Sequence, residues 1–205
     1  MMDRIGIFGG SFNPVHVGHL LLAEHARQEA DLNSVLFIPA CQPPHKRTDR
    51  LLPVHHRLQM LKLAIAENPS FEISTLELDR EGPSYTLITV RELKAHYPDK
   101  KPVLILGSDS ILDLPNWWHA KELVQEIELL GMNRPGHTLE NTEHLADRFG
   151  KEITRQLRGC IIEAPLIQIS ATEIRHRIQQ NKSVRYMVPE QVRTYIEQYQ
   201  LYAET

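Results

Sequence analysis

With 205 residues, 41% hydrophobic and 24% charged, the chain is long enough to bury a core, and its ordinary globular composition excludes a disordered or coiled-coil protein. A formal net charge of −3 argues against a partner held by bulk phosphate neutralisation, so no nucleic acid is expected, while a small anionic substrate on a local basic cluster is allowed. The two cysteines, Cys41 and Cys160, lie far apart outside any C-x-x-C spacing and read as free thiols of a reducing compartment.

The length suits one domain over residues 1–205. Residues 1–8 are too short and too soon followed by glycine for a signal peptide. No apolar run approaches the roughly 20 residues that span a bilayer, so a cytoplasmic protein without a membrane partner is expected. Oligomeric state is left open.

In chain order, residues 4–8 predict a short buried strand that Gly9-Gly10 breaks, and residues 20–30 carry helical spacing of leucine and alanine. Residues 34–39 form a second buried strand stopped by proline. Residues 40–53, with three prolines and a basic stretch, are a long loop of the kind that often carries function. A helix over 58–67, a strand over 71–78 and a helix over 86–96 follow. Residues 102–107 give the clearest buried strand; 123–130 and 159–163 hold two more, before helices over 171–180 and 189–198. Strands apolar on both faces, alternating with helices, predict an α/β fold with a Rossmann-like parallel sheet and helices on both faces. Ligands in such sheets sit beyond the carboxyl ends of the strands, which directs attention to the loops after Phe8, Pro39, Leu106 and Leu130.

The first of these loops reads Gly9-Gly10-Ser11-Phe12-Asn13-Pro14-Val15-His16-Val17-Gly18-His19 and leads into the first helix. Glycines let backbone N–H groups approach a phosphate, and a helix N-terminus adds free donors and partial positive charge. The segment is neither G-x-G-x-x-G nor a P-loop, which weakens dehydrogenase and P-loop readings. His16 and His19, at i and i+3, can lie on one side of the first helical turn and donate to phosphate oxygens. Solvated surface histidines or a zinc pair compete with that reading, and the glycine loop directly before them favours phosphate.

H-x-G-H after G-G-S-F-x-P resembles the signature of the nucleotidyltransferase superfamily, itself similar to the class I aminoacyl-tRNA synthetases. The resemblance implies that both histidines contact triphosphate while the α-phosphate is attacked. Asn13 departs from the aspartate that many members carry; it keeps local turn hydrogen bonding but not the charge.

Ile167-Gln-Ile-Ser170-Ala-Thr172-Glu-Ile-Arg175 has a structural explanation in an S-x-x-E capping box of Ser170 and Glu173 with a staple of Ile169 and Ile174. That explanation leaves Arg175 unused. The stretch also resembles the superfamily's triphosphate-binding I-S-x-T-x-I-R segment, and a capped helix end still offers donors to an anion.

Gln42-Pro-Pro-His-Lys46, Gly82-Pro-Ser-Tyr85-Thr86, Gly107-Ser-Asp109, Leu114-Pro-Asn-Trp117 and Arg134-Pro-Gly136 resemble, in order, the bacterial nicotinate-nucleotide adenylyltransferases, over nearly the whole chain. Gln200 stands where a glycine is common before Leu-Tyr, a C-terminal departure expected not to touch chemistry. Each residue also has a plainer role: Lys46 as a solvated loop charge, Trp117 as core packing, Asp109 as a helix cap, Tyr85 and Thr86 as a helix start, and Arg134 as a surface turn.

The resemblance implies transfer of the adenylyl group of ATP to nicotinate mononucleotide, giving the deamido dinucleotide of NAD biosynthesis and pyrophosphate. It makes His16, His19 and Arg175 the catalytic residues. Gly9, Gly10, Ser11, Phe12, Lys46, Gly107, Asp109, Ser170 and Thr172 would bind ATP, Asp109 at the ribose. Tyr85, Thr86, Trp117 and Arg134 would bind the pyridine nucleotide. Mg²⁺ is expected to travel with ATP, bound by phosphate oxygens and water, with no protein residue assigned to it. A transferase using nicotinamide mononucleotide or phosphopantetheine, and a nucleotide-binding module without turnover, are the alternatives.

Overall fold

The computed structural model describes residues 3–43, 51–133, 143–165 and 167–203. In chain order the elements are β1 (Asp3–Gly10), α1 (Val17–Glu29), β2 (Ser34–Pro39), α2 (Val54–Ile65), β3 (Phe71–Ile73), α3 (Thr86–His96), β4 (Lys100–Gly107) and α4 (Ser108–Asp113). A 3-10 turn (Leu114–Asn116) leads to α5 (Ala120–Glu126), β5 (Glu128–Met132), α6 (Glu143–Phe149), α7 (Lys151–Gly159), β6 (Ile161–Ile162), α8 (Ala171–Gln179) and α9 (Glu190–Gln198). The strands form one sheet in the order β3-β2-β1-β4-β5-β6, and every pairing is parallel.

Alternation along each strand explains the two layers of helices. Phe8, Val35, Phe37, Val103 and Ile105 point to one side, where they meet Ala23, Met60, Ile174 and Val192 of α1, α2, α8 and α9. Ile7, Leu36, Ile38, Leu104 and Leu106 point to the other, against Leu87, Ile111, Leu123, Leu145 and Leu157 of α3 to α7. Each buried Leu, Ile or Phe contributes about 1.5–3 kcal/mol, so both layers are held firmly. The predicted Rossmann-like sheet covered on both faces is the fold observed. Among the described residues no helix is long and apolar enough to cross a membrane.

Three segments differ from expectation. The strand predicted over 71–78 ends at Ile73, because its only neighbour β2 ends in Pro39, which has no N–H to continue the ladder. Residues beyond it turn instead, with Leu78 N–H donating to the Thr75 carbonyl at 2.7 Å. Within 123–130 the strand is confined to β5, and the first part of that segment belongs to α5. Helices α6 and α7 were not foreseen, although Leu145, Phe149, Ile153 and Leu157 recur every fourth residue and all meet the second core. Gly150, at φ +84°, breaks the run between them.

Candidate active site

Strand order reverses direction between β1 and β4, so the carboxyl ends of these two strands frame the crevice that such sheets offer to ligands. The loop after β1 divides this crevice into two cavities. One of about 460 Å³ includes His16, Gly18, Asp109, Ile169 and Ser170 in its wall. The other, of about 270 Å³, is walled by Gly9, Gly10, Ser11, Tyr85, Thr86 and Trp117, among others.

The first corner is built from close neighbours in sequence. His16 is the N-cap of α1 and is 6% exposed. Its ring stacks on that of His19 with centroids 3.7 Å apart and planes at 27°. The backbone N–H of His16 donates to His19 Nδ1 at 3.2 Å. That nitrogen must therefore be unprotonated, which places the hydrogen of the neutral ring on Nε2 as a donor. Phe12 supports the ring edge-on from 5.2 Å. It does so from a left-handed backbone, φ +44°, that a non-glycine residue holds only when its surroundings enforce it; here they do, since the ring is 1% exposed. The glycine of H-x-G-H has a steric reason. A Cβ on Gly18 would lie 3.0 Å from His16 Nδ1 and displace the ring. At Gly9 a Cβ would meet nothing within 4 Å, so the absent side chain leaves open space.

The N-terminus of α8 comes to the same cavity. Ser170 caps it, its Oγ accepting the Glu173 N–H at 3.1 Å. Of the reciprocal capping pair only this half is seen; the Glu173 carboxylate lies 4.0 Å from Arg177. Arg175 donates to Thr172 Oγ1 at 3.2 Å and to the Asn13 carbonyl at 2.8 Å, fastening α8 to the loop after β1. Gly107 is the N-cap of α4, and Asp109 in its first turn lines the cavity.

The second cavity is assembled from distant segments. Tyr85 is the N-cap of α3 and Thr86 its first residue. Trp117 packs on the second core and donates from Nε1 to Asp113 at 3.2 Å. Trp118, 40% exposed, stacks on Tyr85 at 4.8 Å with planes at 21°. Both tryptophans line the cavity. Lys46 and Arg134 lie outside the described residues.

Several groups that sequence reasoning passed over belong to this region. Arg57, 2% exposed, donates to three backbone carbonyls: Ser11 at 2.9 Å, Ala40 at 2.8 Å and Leu52 at 3.1 Å. It ties the loops after β1 and β2 together, and burial lowers its affinity for its proton. The signal was an arginine in the apolar stripe that also holds Met60 and Leu61. Glu77, 7% exposed, lines the second cavity, where burial pushes its carboxyl above the usual carboxylate range.

The C-terminal edge packs against the loop after β1. Tyr202 donates its hydroxyl to Asn13 Oδ1 at 3.0 Å, beside the Leu52 N–H at 3.3 Å. Gln200 sits at φ +50°, a backbone that suits the glycine common at that place.

Comparison with known proteins shows the family. The cytidylyltransferase-like family model matches residues 7–177. A nicotinate-nucleotide adenylyltransferase of Bacillus subtilis is 39% identical over 98% of this chain and 99% of its own length. A probable nicotinate-nucleotide adenylyltransferase of Thermomicrobium roseum is 42% identical over 98% of this chain and 92% of its own. Among solved structures, a Plasmodium falciparum nicotinic acid mononucleotide adenylyltransferase complexed with NaAD superposes with a TM-score of 0.76. It covers 98% of this chain and 97% of its own at 21% identity, a likeness of fold.

Proposed function

The chain belongs to the cytidylyltransferase-like family and, within it, to the nicotinate-nucleotide adenylyltransferases, and on that premise we propose that it transfers the adenylyl group of ATP to nicotinate mononucleotide. The observation that carries the reading is the pair of cavities meeting at one loop. A donor corner lies on the α1 and α8 side, and a slot with aromatic walls lies on the α3 and α4 side.

An oxygen of the acceptor's phosphate forms the new bond to the α-phosphorus of ATP. The bond from that phosphorus to the bridging oxygen breaks, and pyrophosphate leaves with the electron pair. The acceptor phosphate is ionised near neutral pH, so no strong general base is needed. Positioning and charge neutralisation carry the rate.

His19 Nε2–H, the N–H groups of Gly18, Ala171 and Thr172 in the first turns of α1 and α8, and the Arg175 guanidinium supply fixed donors for the charge that develops on the departing phosphates. Ser170 and Thr172 border the same phosphates, Ser11 of the loop between the cavities stands on the acceptor side with Gly9 and Gly10, and Asp109 faces the ribose. Lys46 and Arg134 complete the ATP and acceptor contacts in this reading. Trp117 stacks on the pyridine ring, whose carboxylate is met by backbone N–H groups at the start of α3, Thr86 first because the Tyr85 N–H is held by the Pro83 carbonyl at 2.9 Å, aided by the α3 dipole.

Among the described residues no cluster of three or more His, Cys, Asp or Glu side chains is placed to hold a metal. In this reading Mg²⁺ would travel with ATP, carried by phosphate oxygens and water, with Asp109 lining the same cavity. When bound, the ion neutralises triphosphate charge. We place the reaction in the cytoplasm.

The test is pyrophosphate release with Mg-ATP and a panel of acceptors. Nicotinate mononucleotide is expected to give the highest kcat/KM. Equal turnover of the amide, or preference for it, would refute the acceptor and leave nucleotidyl transfer standing.

A further inference from the structure

The acceptor cavity contains a buried carboxylate for which the reaction above has no use. Glu77 stands in the turn after β3 and is 7% exposed. A carboxylate is costly to bury unless its oxygens are hydrogen-bonded, and here two hydroxyls serve it. Thr89 of α3, 2% exposed, donates to Glu77 Oε1 at 2.7 Å. Ser84, 6% exposed, supplies the second hydrogen bond.

The directions of these bonds follow from their neighbours. Ser84 Oγ accepts two backbone N–H groups, from Cys41 at 3.0 Å and Gln42 at 3.2 Å. With both lone pairs engaged, its own hydrogen goes to Glu77. Thr89 Oγ1 likewise accepts from Arg80 at 3.3 Å, leaving its hydrogen for the carboxylate. Ser84 adds a backbone bond to the Gln42 carbonyl at 3.0 Å. The carboxylate thus terminates a chain that fastens the loop after β2 to the first turn of α3. Tyr85 and Thr86 lie between the two hydroxyls in sequence.

We propose that Glu77 is a positioning residue of the acceptor site: through Ser84 and Thr89 it holds the loop after β2 against the start of α3 and so fixes the width of the slot that receives the flat ring. This inference rests on reading that cavity as the acceptor site. Its two halves, anchoring and acceptor recognition, are separable by experiment.

The variant Glu77→Gln keeps the shape but replaces one accepting oxygen by an NH₂ and removes the charge, so the pair of hydroxyls that both donate to the carboxylate loses one acceptor and one anchor is weakened. Ser84→Ala removes the other link of the same chain. In each, the KM for nicotinate mononucleotide is expected to rise about tenfold, the scale of one charge-assisted hydrogen bond, with KM for ATP and kcat within about twofold. The double variant should add little to either single one, because both break one chain.

The second readout needs no substrate. In a Cys160→Ser background Cys41 is the only cysteine, and its rate of reaction with an aromatic disulfide reagent reports how firmly the loop is held. That rate is expected to rise about tenfold in Glu77→Gln, reflecting the lost bond. Unchanged thiol reactivity with unchanged acceptor KM overturns the proposal. So does a parallel rise in both KM values with a collapsed melting temperature, which marks a merely structural group. Failure of the unsubstituted protein to turn over any pyridine mononucleotide sinks the acceptor half, while the thiol rates still decide the anchoring half.

Discussion

The two sides of the loop after β1 solve different problems with different materials. On the α1 and α8 side the polar groups come from two short runs, His16 to His19 and Ser170 to Arg175, and are fixed by backbone and cap. On the α3 and α4 side the walls are aromatic and apolar, and the polar groups arrive from Cys41, Glu77, Ser84, Thr89 and Asp113. Neutralising a triphosphate requires donors that do not move as charge develops, and one helical turn can hold them. Receiving a flat ring requires two walls at a set spacing, and only distant segments can set it.

The largest effect should come from the donor side. His19→Ala is expected to lower kcat roughly 10²–10³-fold, as removal of a preorganised transition-state donor does. The acceptor KM should stay nearly constant. His16→Ala loses the stacked partner and should be similar or milder. Steady-state kinetics and a melting curve on one preparation decide it. Near-normal kcat in the folded double variant would mean that the corner is not where catalysis happens.

Arg175→Ala follows, with kcat/KM expected to fall between about tenfold and a hundredfold, on the scale of lost charge-assisted bonds. The structure adds a stability component. Loss of the bond to the Asn13 carbonyl should cost about 1 kcal/mol, a drop in Tm of about 2–4 °C. A far larger drop with intact turnover would make Arg175 a clamp and not a phosphate ligand.

The same contrast explains what could be read from the sequence. His16, Gly18 and His19 sit within one turn, and Ser170 and Arg175 within two, so spacing alone gathers each run; the fold brings the runs to each other, with His16, Gly18 and Ser170 lining one cavity and Arg175 bonded to the Asn13 carbonyl. The alternation of apolar residues gave the sheet and its two helical layers. Glu77 was hidden because the predicted strand ran through it, and only the exhaustion of the β2 edge at Pro39 turns it inward. Arg57 looked like one more helical charge, since three carbonyls from separate loops are invisible in a linear reading. Tyr85, Thr86 and Trp117 were found by resemblance, and no spacing could have joined them.

A smaller effect is expected on the acceptor side. Trp117→Ala should raise KM for both nicotinate and nicotinamide mononucleotides by up to about tenfold, the value of an aromatic stack of about 0.5–1.5 kcal/mol. The acid-over-amide ratio should survive, because it is assigned to backbone donors at the start of α3. Trp118→Ala sharpens the point. Trp118 is more exposed and already stacked on Tyr85, so its removal should matter less than that of Trp117. The opposite order would make Trp118 the ring's partner.

The smallest effect tests whether the donor corner is as local as it looks. Tyr202 is nearly the last described residue, yet its hydroxyl donates to Asn13 Oδ1, in the loop whose carbonyl holds Arg175. The same Oδ1 accepts the Leu52 N–H at the approach to α2. One amide oxygen thereby joins the C-terminus, the loop before α2 and the phosphate loop. Tyr202→Phe removes one hydrogen bond and leaves the ring in place, so about 0.5–1.5 kcal/mol of stability should be lost. The catalytic consequence depends on whether the Leu52 bond alone keeps Asn13 in position. Its single N–H can hold the oxygen but not resist rotation as two donors do, so kcat is expected to fall by about twofold to fivefold, within the energy of that one bond. Asn13→Asp, which restores the residue common in related enzymes, keeps both accepted bonds and adds a charge near Arg175 and Arg57. It should therefore tighten the hub, and in that background Tyr202→Phe should cost less. If Tyr202→Phe changes Tm without changing kcat in either background, the donor corner is self-sufficient and the comparison between a local and an assembled half holds without exception.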